Sequence, residues 1–277
     1  MSAIFGLSSG KGDLPGYSCD LTDSLKERLK EAFIHSVGKR MQGVERVGIM
    51  FSGGIDSALI AHVARRFNSK LFPYSVGMEG SEDIRYAKKF AGELGLEVRQ
   101  IILSEEELIS YYEKVQSLLC EKDFIKIELA IPVFICSEIA KKDGVRVILT
   151  GSGAEELFAG YDRHLQCFLK GGDLQKMLSD ELRALHSKDL KSIEHIASLN
   201  QCELRYPFLD EDFIKSATSL KPELNLSRDG EKKRILKLIS IELGLPREIA
   251  ERPKKAMQYG SGIHKILLKA KKESLIK

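Results

Sequence analysis

Tryptophan is absent from the 277 residues, and proline occurs only seven times. No apolar run approaches the roughly 18 residues that a membrane-spanning helix needs, which argues against a membrane protein. The opening MSAIFGLSSG has neither a basic n-region nor a long apolar h-region, so no secretory signal is visible and a cytoplasmic location is the expectation. The five cysteines, Cys19, Cys120, Cys136, Cys167 and Cys202, are odd in number and scattered without a CxxC pair. That spacing excludes zinc-ribbon, iron–sulfur and dithiol readings and leaves reduced, structural thiols. An excess of one charge is lacking too, at net +3, too small to imply nucleic acid without a clustered basic face. Abundant Lys and Glu beside no Trp hint at a thermophilic source. There is no internal repeat, no low-complexity segment and no loose linker.

What is present is ordinary globular material, 43% apolar and 30% charged, in a chain long enough to bury a sizeable core. From Leu21 to Arg40, Leu25, Leu29, Phe33, Ile34 and Val37 recur at helical spacing, with Thr22 or Asp23 as cap. Arg46 to Phe51 reads as a short buried strand, Ala58 to Phe67 as a helix, and Leu71 to Val76 as a second strand. Ser81 to Leu94 predicts a helix capped by Ser81 and stopped at Gly95, followed by a strand over Glu97 to Leu103. Helices follow at about Glu105 to Leu119 and at Ile131 to Lys142, the latter started near Pro132, and Val145 to Thr150 gives a fourth strand. Strands alternating with helices imply an α/β fold, a parallel doubly wound sheet with ligands at the carboxyl ends of its strands. After Gly160 the pattern turns helical, with no further convincing strand.

Residues 50–60, MFSGGIDSALI, place two glycines where the first strand hands over to a helix. The unpaired N–H groups and dipole of the helix start favour an anion there, and Gly53 and Gly54 let a phosphate approach the backbone. The hydroxyls of Ser52 and Ser57 add donors. Asp56 would repel a bare phosphate, so its presence implies a bridging Mg²⁺ and hence a nucleotide site. The GxxxxGK[ST] and GxGxxG spacings are both missing, which rules out a Walker loop and a dinucleotide fingerprint. A second glycine loop, TGSGAEELFAGY at Thr150 to Tyr161, ends another strand and opens a helix with Glu155 and Glu156. Two acids in a first helical turn are also ordinary dipole chemistry. If the two strands are neighbours, Glu155 faces Asp56 across one metal.

SGGIDS resembles the pyrophosphate loop of the ATP pyrophosphatases, which split ATP between the α and β phosphates to adenylate a substrate. The second loop is similar to the SGEGxDExxGGY motif of asparagine synthetases. ELRYPFLD at Glu203 to Asp210, GEKKRIL at Gly230 to Leu236 and RPKKAMQYGSG at Arg252 to Gly262 follow in that family's order. The resemblance covers about residues 20 to 265 and is closest to the asparagine synthetase domain-containing proteins. It implies the fold of the ATP pyrophosphatases, followed by a helical carboxyl-terminal half. It also implies ATP and Mg²⁺ as cofactors, with Asp56 and Glu155 as metal ligands. Phe51, Ser52, Gly53, Gly54, Asp56, Ser57, Val76, Thr150 and Gly151 would bind ATP, and Asp56, Glu155 and Lys254 would be catalytic, Lys254 by stabilising charge as pyrophosphate leaves. Ser152, Glu156, Arg205 and Arg252 are candidates for the acceptor.

Three departures stand against this pattern. Where the family has an acid in the middle of its GEG triplet, this chain has Ser152, far too weak a base to deprotonate a nitrogen nucleophile unaided. The family's RxNK-like stretch aligns with Ser192 to His195, and a missing arginine removes a bidentate carboxylate clamp, which puts aspartate in doubt as acceptor. Glutamine-dependent members begin MCGIFG and this chain begins MSAIFG, so residues 1–20 read as a short extension, a glutaminase remnant or a chance likeness. Residues 21–277 read as the synthetase domain.

The expectation is a ligase that adenylates a small carboxylate and forms an amide with ammonia or an amine. A separate glutaminase subunit and a homodimer are the partners the resemblance leaves open, with no membrane and no nucleic acid. Adenylation of a tRNA base and a non-catalytic nucleotide-binding interaction protein are the alternatives.

Overall fold

The computed structural model describes residues 22–252 and 260–276. A first helix α1, Asp23–Met41, is capped by Thr22, whose hydroxyl accepts from the Leu25 N–H. It presents Leu29, Phe33 and Val37 to the core, as the spacing predicts. Strand β1, Arg46–Met50, then leads into α2, Ile55–Ala64, and β2, Lys70–Met78, into α3, Glu82–Glu93. Strand β3, Arg99–Leu103, is followed by α4, Glu105–Leu119, whose Ser104 and Glu107 close a reciprocal capping box. Helix α5, Phe124–Lys142, and strand β4, Val147–Leu149, complete the alternating half.

Three expectations are corrected. Helix α2 starts at Ile55 instead of Ala58, so Asp56 and Ser57 belong to its first turn. Helix α5 starts at Phe124, not Ile131, because Asp123 caps it by accepting from the Ile125 and Lys126 N–H groups. Pro132 therefore lies inside the helix, where burial of Ile127, Ala130, Ile131, Val133 and Phe134 outweighs the one lost backbone bond. A fifth strand, β5, Glu203–Arg205, lies in the half read as strandless. At three residues it is too short to show an alternating pattern.

The sheet order is β3-β2-β1-β4-β5, every pair parallel. Val47 lies opposite Val147 and Ile49 opposite Leu149, so the first and fourth strands are direct neighbours. The chain winds outward from β1 on one side and from β4 on the other. The crevice between their carboxyl ends is thus the switch point where such sheets bind ligands.

Beyond β4 come α6, Ala154–Leu157; α7, Asp162–Leu169; α8, Leu174–Leu185; and α9, Lys191–Leu199. A π-helical turn, His186–Leu190, joins α8 to α9. Helices α10, Glu211–Thr218, α11, Arg234–Glu242, and α12, Arg247–Ala250, precede the last helix, Ile263–Lys272. One buried apolar cluster runs from α1 to the last helix. Within it Phe33 meets Phe208 and Phe213 at centroid distances of 4.9 and 5.2 Å, tying the first helix to the carboxyl-terminal half. Among the described residues no helix is long and apolar enough to cross a membrane.

Candidate active site

The turn after β1 is held by its own side chains. The Phe51 N–H donates to the Tyr74 carbonyl at 2.8 Å, extending the parallel pairing one residue past the strand. The Gly54 N–H then donates to the Ser52 hydroxyl at 3.3 Å, and the Ser57 hydroxyl donates to the Gly54 carbonyl at 3.1 Å. Gly53 has φ +68°, and a Cβ placed there would lie 2.8 Å from the backbone of Tyr86 and Ala87 in α3. Only glycine fits, so the loop lies against α3 and the first turn of α2 faces the crevice. Arg252 braces the loop from the far end of the chain. Its guanidinium donates to the Ser52 carbonyl at 3.1 Å and to Asp83 at 2.9 Å, and it stacks 4.0 Å above the Tyr86 ring.

The turn after β4 lies alongside. Thr150 and Ser152 share a hydroxyl contact of 3.0 Å, and the Ser152 N–H donates to Thr150 Oγ1 at 3.3 Å. Between the two turns sits Lys233, at the head of α11. Its ammonium is 2.7 Å from Asp56 Oδ1 and 3.0 Å from Glu155 Oε2. Asp56 and Lys233 are only 6% and 4% exposed, so the charges meet where water screens them little. Gly160 closes the back of this cluster, since a Cβ there would fall 1.5 Å from Glu155 Oε2 and 2.4 Å from Lys233 Cε. Glu156, also buried, accepts from the Tyr161 hydroxyl at 3.0 Å. Burial, reinforced by the charge of Glu155, pushes its carboxyl above the ordinary range.

A cavity of about 390 Å³ brings most of the sequence candidates together. Phe51, Ser52, Asp56, Ser57, Val76, Thr150, Gly151, Ser152, Glu155 and Glu156 all line it. Gly53 and Gly54 shape its floor through the turn just described. Arg205 is not brought in: on β5 its guanidinium is engaged by both Glu203 oxygens, at 2.9 and 3.1 Å, and by the Arg40 carbonyl at 2.7 Å. Arg252, read as an acceptor contact, instead serves the loop and Asp83. Lys254 lies outside the described residues, as do residues 1–20.

Lys233 escaped the sequence reading. GEKKRIL contains two adjacent lysines, and nothing in the spacing singles out the one that turns inward. On the rest of the cavity lining, Tyr161 and Ile193 fall in stretches the sequence singled out, but Arg163, Lys188, Asp189 and Leu190 escaped. Most of them sit on or beside a π-helical turn, which leaves no mark in apolar periodicity.

No group of three or more His, Cys, Asp or Glu side chains that could hold a metal occurs among the described residues. Two converging carboxylates are nevertheless the usual protein share of a Mg²⁺ site whose other ligands are phosphate oxygens and water. Asp56 and Glu155 already converge on one cation, the Lys233 ammonium, so this donor pair fits that role.

The asparagine synthase family model matches residues 28–171 and 168–275. A provisionally named asparagine synthetase (glutamine-hydrolyzing) 1 of Methanocaldococcus jannaschii is 38% identical over 284 residues, covering 91% of this chain and 52% of that protein. The asparagine synthetase (glutamine-hydrolyzing) of Gallus gallus is 31% identical, covering 90% of this chain and 45% of that protein. The chain thus spans about half the length of these curated relatives. Among solved structures, an NMN synthetase from Francisella tularensis superposes with a TM-score of 0.43 at 14% identity, covering 86% of this chain and 77% of that one.

Proposed function

The chain belongs to the asparagine synthase family, and on that premise we propose that it is an ATP-dependent carbon–nitrogen ligase. It adenylates a small carboxylic acid and passes the acyl group to ammonia or an amine. The single observation that carries this reading is the convergence of both glycine loops on one cavity at the switch point, with Asp56 and Glu155 turned to a common cation.

The chemistry divides into two transfers. First a carboxylate oxygen of the acceptor attacks the α-phosphorus of ATP, and the bond to the β-phosphate oxygen breaks to release pyrophosphate. The nitrogen lone pair then attacks the acyl carbon, the nitrogen gives up one proton to solvent, and AMP leaves with one former carboxylate oxygen. No covalent bond to the protein is required, so the work of the site is positioning and charge stabilisation. The first-turn N–H groups of α2 and the hydroxyls of Ser52 and Ser57 hold the departing pyrophosphate. Val76, Thr150 and Gly151 hold the adenosine side. Asp56 and Glu155 would hold Mg²⁺, which would supply positive charge to the phosphates. Lys254 supplies a second positive charge to the leaving group.

The nitrogen arrives as free ammonia, as an amine, or from a glutaminase subunit. Ser152 in place of an acid favours a nucleophile that reaches the site already neutral. Labelling the acceptor carboxylate with ¹⁸O tests the reading: one labelled oxygen should appear in AMP and none in pyrophosphate. Label confined to the amide or to inorganic phosphate would rule out an acyl-adenylate.

A further inference from the structure

Asp83, in the first turn of α3, lines the cavity and is only 4% exposed. An acid in a first helical turn is ordinary dipole chemistry, but its burial is not. Two stretches from the far end of the chain meet its carboxylate. The Arg252 guanidinium donates to Oδ1 at 2.9 Å. The backbone of Gly260 presses on the same group, since a Cβ there would fall 2.4 Å from Oδ1 and 2.6 Å from Oδ2. Just beyond, the Ser261 carbonyl accepts from the Met78 N–H at 2.8 Å, which fastens this stretch to the end of β2. The carboxylate is thus walled in on the side away from Arg252.

A buried ion pair returns little net stability, because both charges give up water. What this one fixes is a direction. The second terminal nitrogen of Arg252 donates to the Ser52 carbonyl at 3.1 Å, and the guanidinium is kept flat by the Tyr86 ring 4.0 Å away. A trans peptide is planar, with its C=O and N–H pointing opposite ways. A Ser52 carbonyl held on Arg252 therefore aims the Gly53 N–H away from the guanidinium. That N–H makes no hydrogen bond among the described residues, so it remains a donor for an anion. A carbonyl released from Arg252 is free to turn over and set its negative end toward the phosphates instead.

Resting on the ligase reading above, we propose that Asp83 is a positioning residue for the phosphate loop. Through Arg252 it keeps the Ser52 carbonyl turned outward and the Gly53 N–H available to the pyrophosphate end of ATP. Gly260, by having no side chain, lets the carboxylate stay where Arg252 needs it.

The test is calorimetric titration of the parent, Asp83→Asn and Gly260→Ala with two probes, α,β-methylene-ATP in Mg²⁺ and AMP. Asp83→Asn keeps the side chain's shape and removes its charge. Gly260→Ala keeps the charge and drives the carboxylate off Arg252; Gly260 is not left-handed, so the methyl adds no backbone strain. Both variants should bind the ATP analogue at least about tenfold more weakly, the weight of one charge-assisted hydrogen bond, and bind AMP within about twofold of the parent. General loosening of the fold would weaken both probes together. Asp83→Asn combined with Arg252→Lys should lose no more than the worse of the two alone, because both act on one contact.

The assignment is overturned if both variants keep the parent's affinity for the analogue, if AMP weakens as much as the analogue, or if the losses in the double variant add. Should Asp83→Asn not fold, Gly260→Ala decides by the same split. Pyrophosphate exchange on the parent keeps the two claims apart. Acid-dependent exchange without the affinity split strikes the role of Asp83 alone. The split in a protein that exchanges with no acid strikes the ligase reading and leaves Asp83 standing.

Discussion

The ammonium of Lys233 lies 2.7 Å from Asp56 Oδ1, although the two residues are 177 positions apart in the chain. It also reaches Glu155, so one buried lysine holds together the carboxylates that two separate glycine loops deliver. Removing one partner of a buried ion pair usually destabilises by about 3–5 kcal/mol, because the other charge is left uncompensated. Lys233→Met should therefore lower unfolding free energy in urea by about that amount, and millimolar Mg²⁺ with ATP should recover part of it. Adding Asp56→Asn to Lys233→Met should cost less than the sum of the single changes. A Lys233→Met protein as stable as the parent would show that the cluster contributes nothing.

Gly53→Ala tests the first loop. The left-handed φ of +68° and the 2.8 Å approach to α3 leave no room for a methyl group. Strain of about 1–2 kcal/mol in the backbone is expected. The loop should retreat from α3, so ATP affinity should fall by tenfold or more in a calorimetric titration. Gly80→Ala is the control, since a Cβ at Gly80 meets nothing within 4 Å and the same left-handed strain applies without the phosphate loop.

Arg252→Lys asks whether the brace matters to nucleotide binding. A lysine cannot serve the Ser52 carbonyl and Asp83 together, nor stack as well on Tyr86. ATP affinity should drop by roughly tenfold, the weight of one charge-assisted hydrogen bond. Unchanged affinity would assign Arg252 to fold stability alone.

His164 gives the stability a pH dependence. It is fully buried; its Nδ1 accepts from the Tyr161 N–H at 3.3 Å, which leaves Nε2 to donate to Glu181 at 2.8 Å. Burial holds its pKa below the ordinary 6.5, although Glu181 opposes the shift. The unfolded chain therefore takes up the proton first, and stability is lost as pH falls below 6.5 toward the folded value. His62, likewise lowered chiefly by burial, adds to the same slope. Melting temperature should decline between pH 7.5 and 5.5, and His164→Gln should flatten the decline. An identical slope in the variant would place the dependence elsewhere.

Much of the alternating half was legible because each β1-to-β4 segment carries a local signal: a short apolar run, a glycine turn, a capped amphipathic helix. The two loops were legible for the same reason, as SGGIDS and TGSGAEE compress a strand end, a turn and a helix start into a few residues. Pro132 misplaced the start of α5, since a helix buried on several sides tolerates a proline that an exposed one would reject. β5 was hidden by its length, because three residues gain strand character only from pairing with Val147–Leu149. Lys233 was hidden for a deeper reason. It owes its place to a backbone irregularity, a left-handed residue at the head of α11, that tertiary packing imposes. Sequence order could place Arg205 in the family motif, but only the fold shows its guanidinium turned to Glu203 and Arg40.

The central claim is that this cavity breaks ATP between the α and β phosphates to activate an acid. Exchange of labelled pyrophosphate into ATP, measured with and without candidate amino acids, tests it most directly. Acid-dependent exchange is expected, falling at least about a hundredfold in Asp56→Asn, the scale of losing one preorganised electrostatic contact to the reacting centre. ATP turnover that yields ADP and orthophosphate with no exchange under any acid would contradict it.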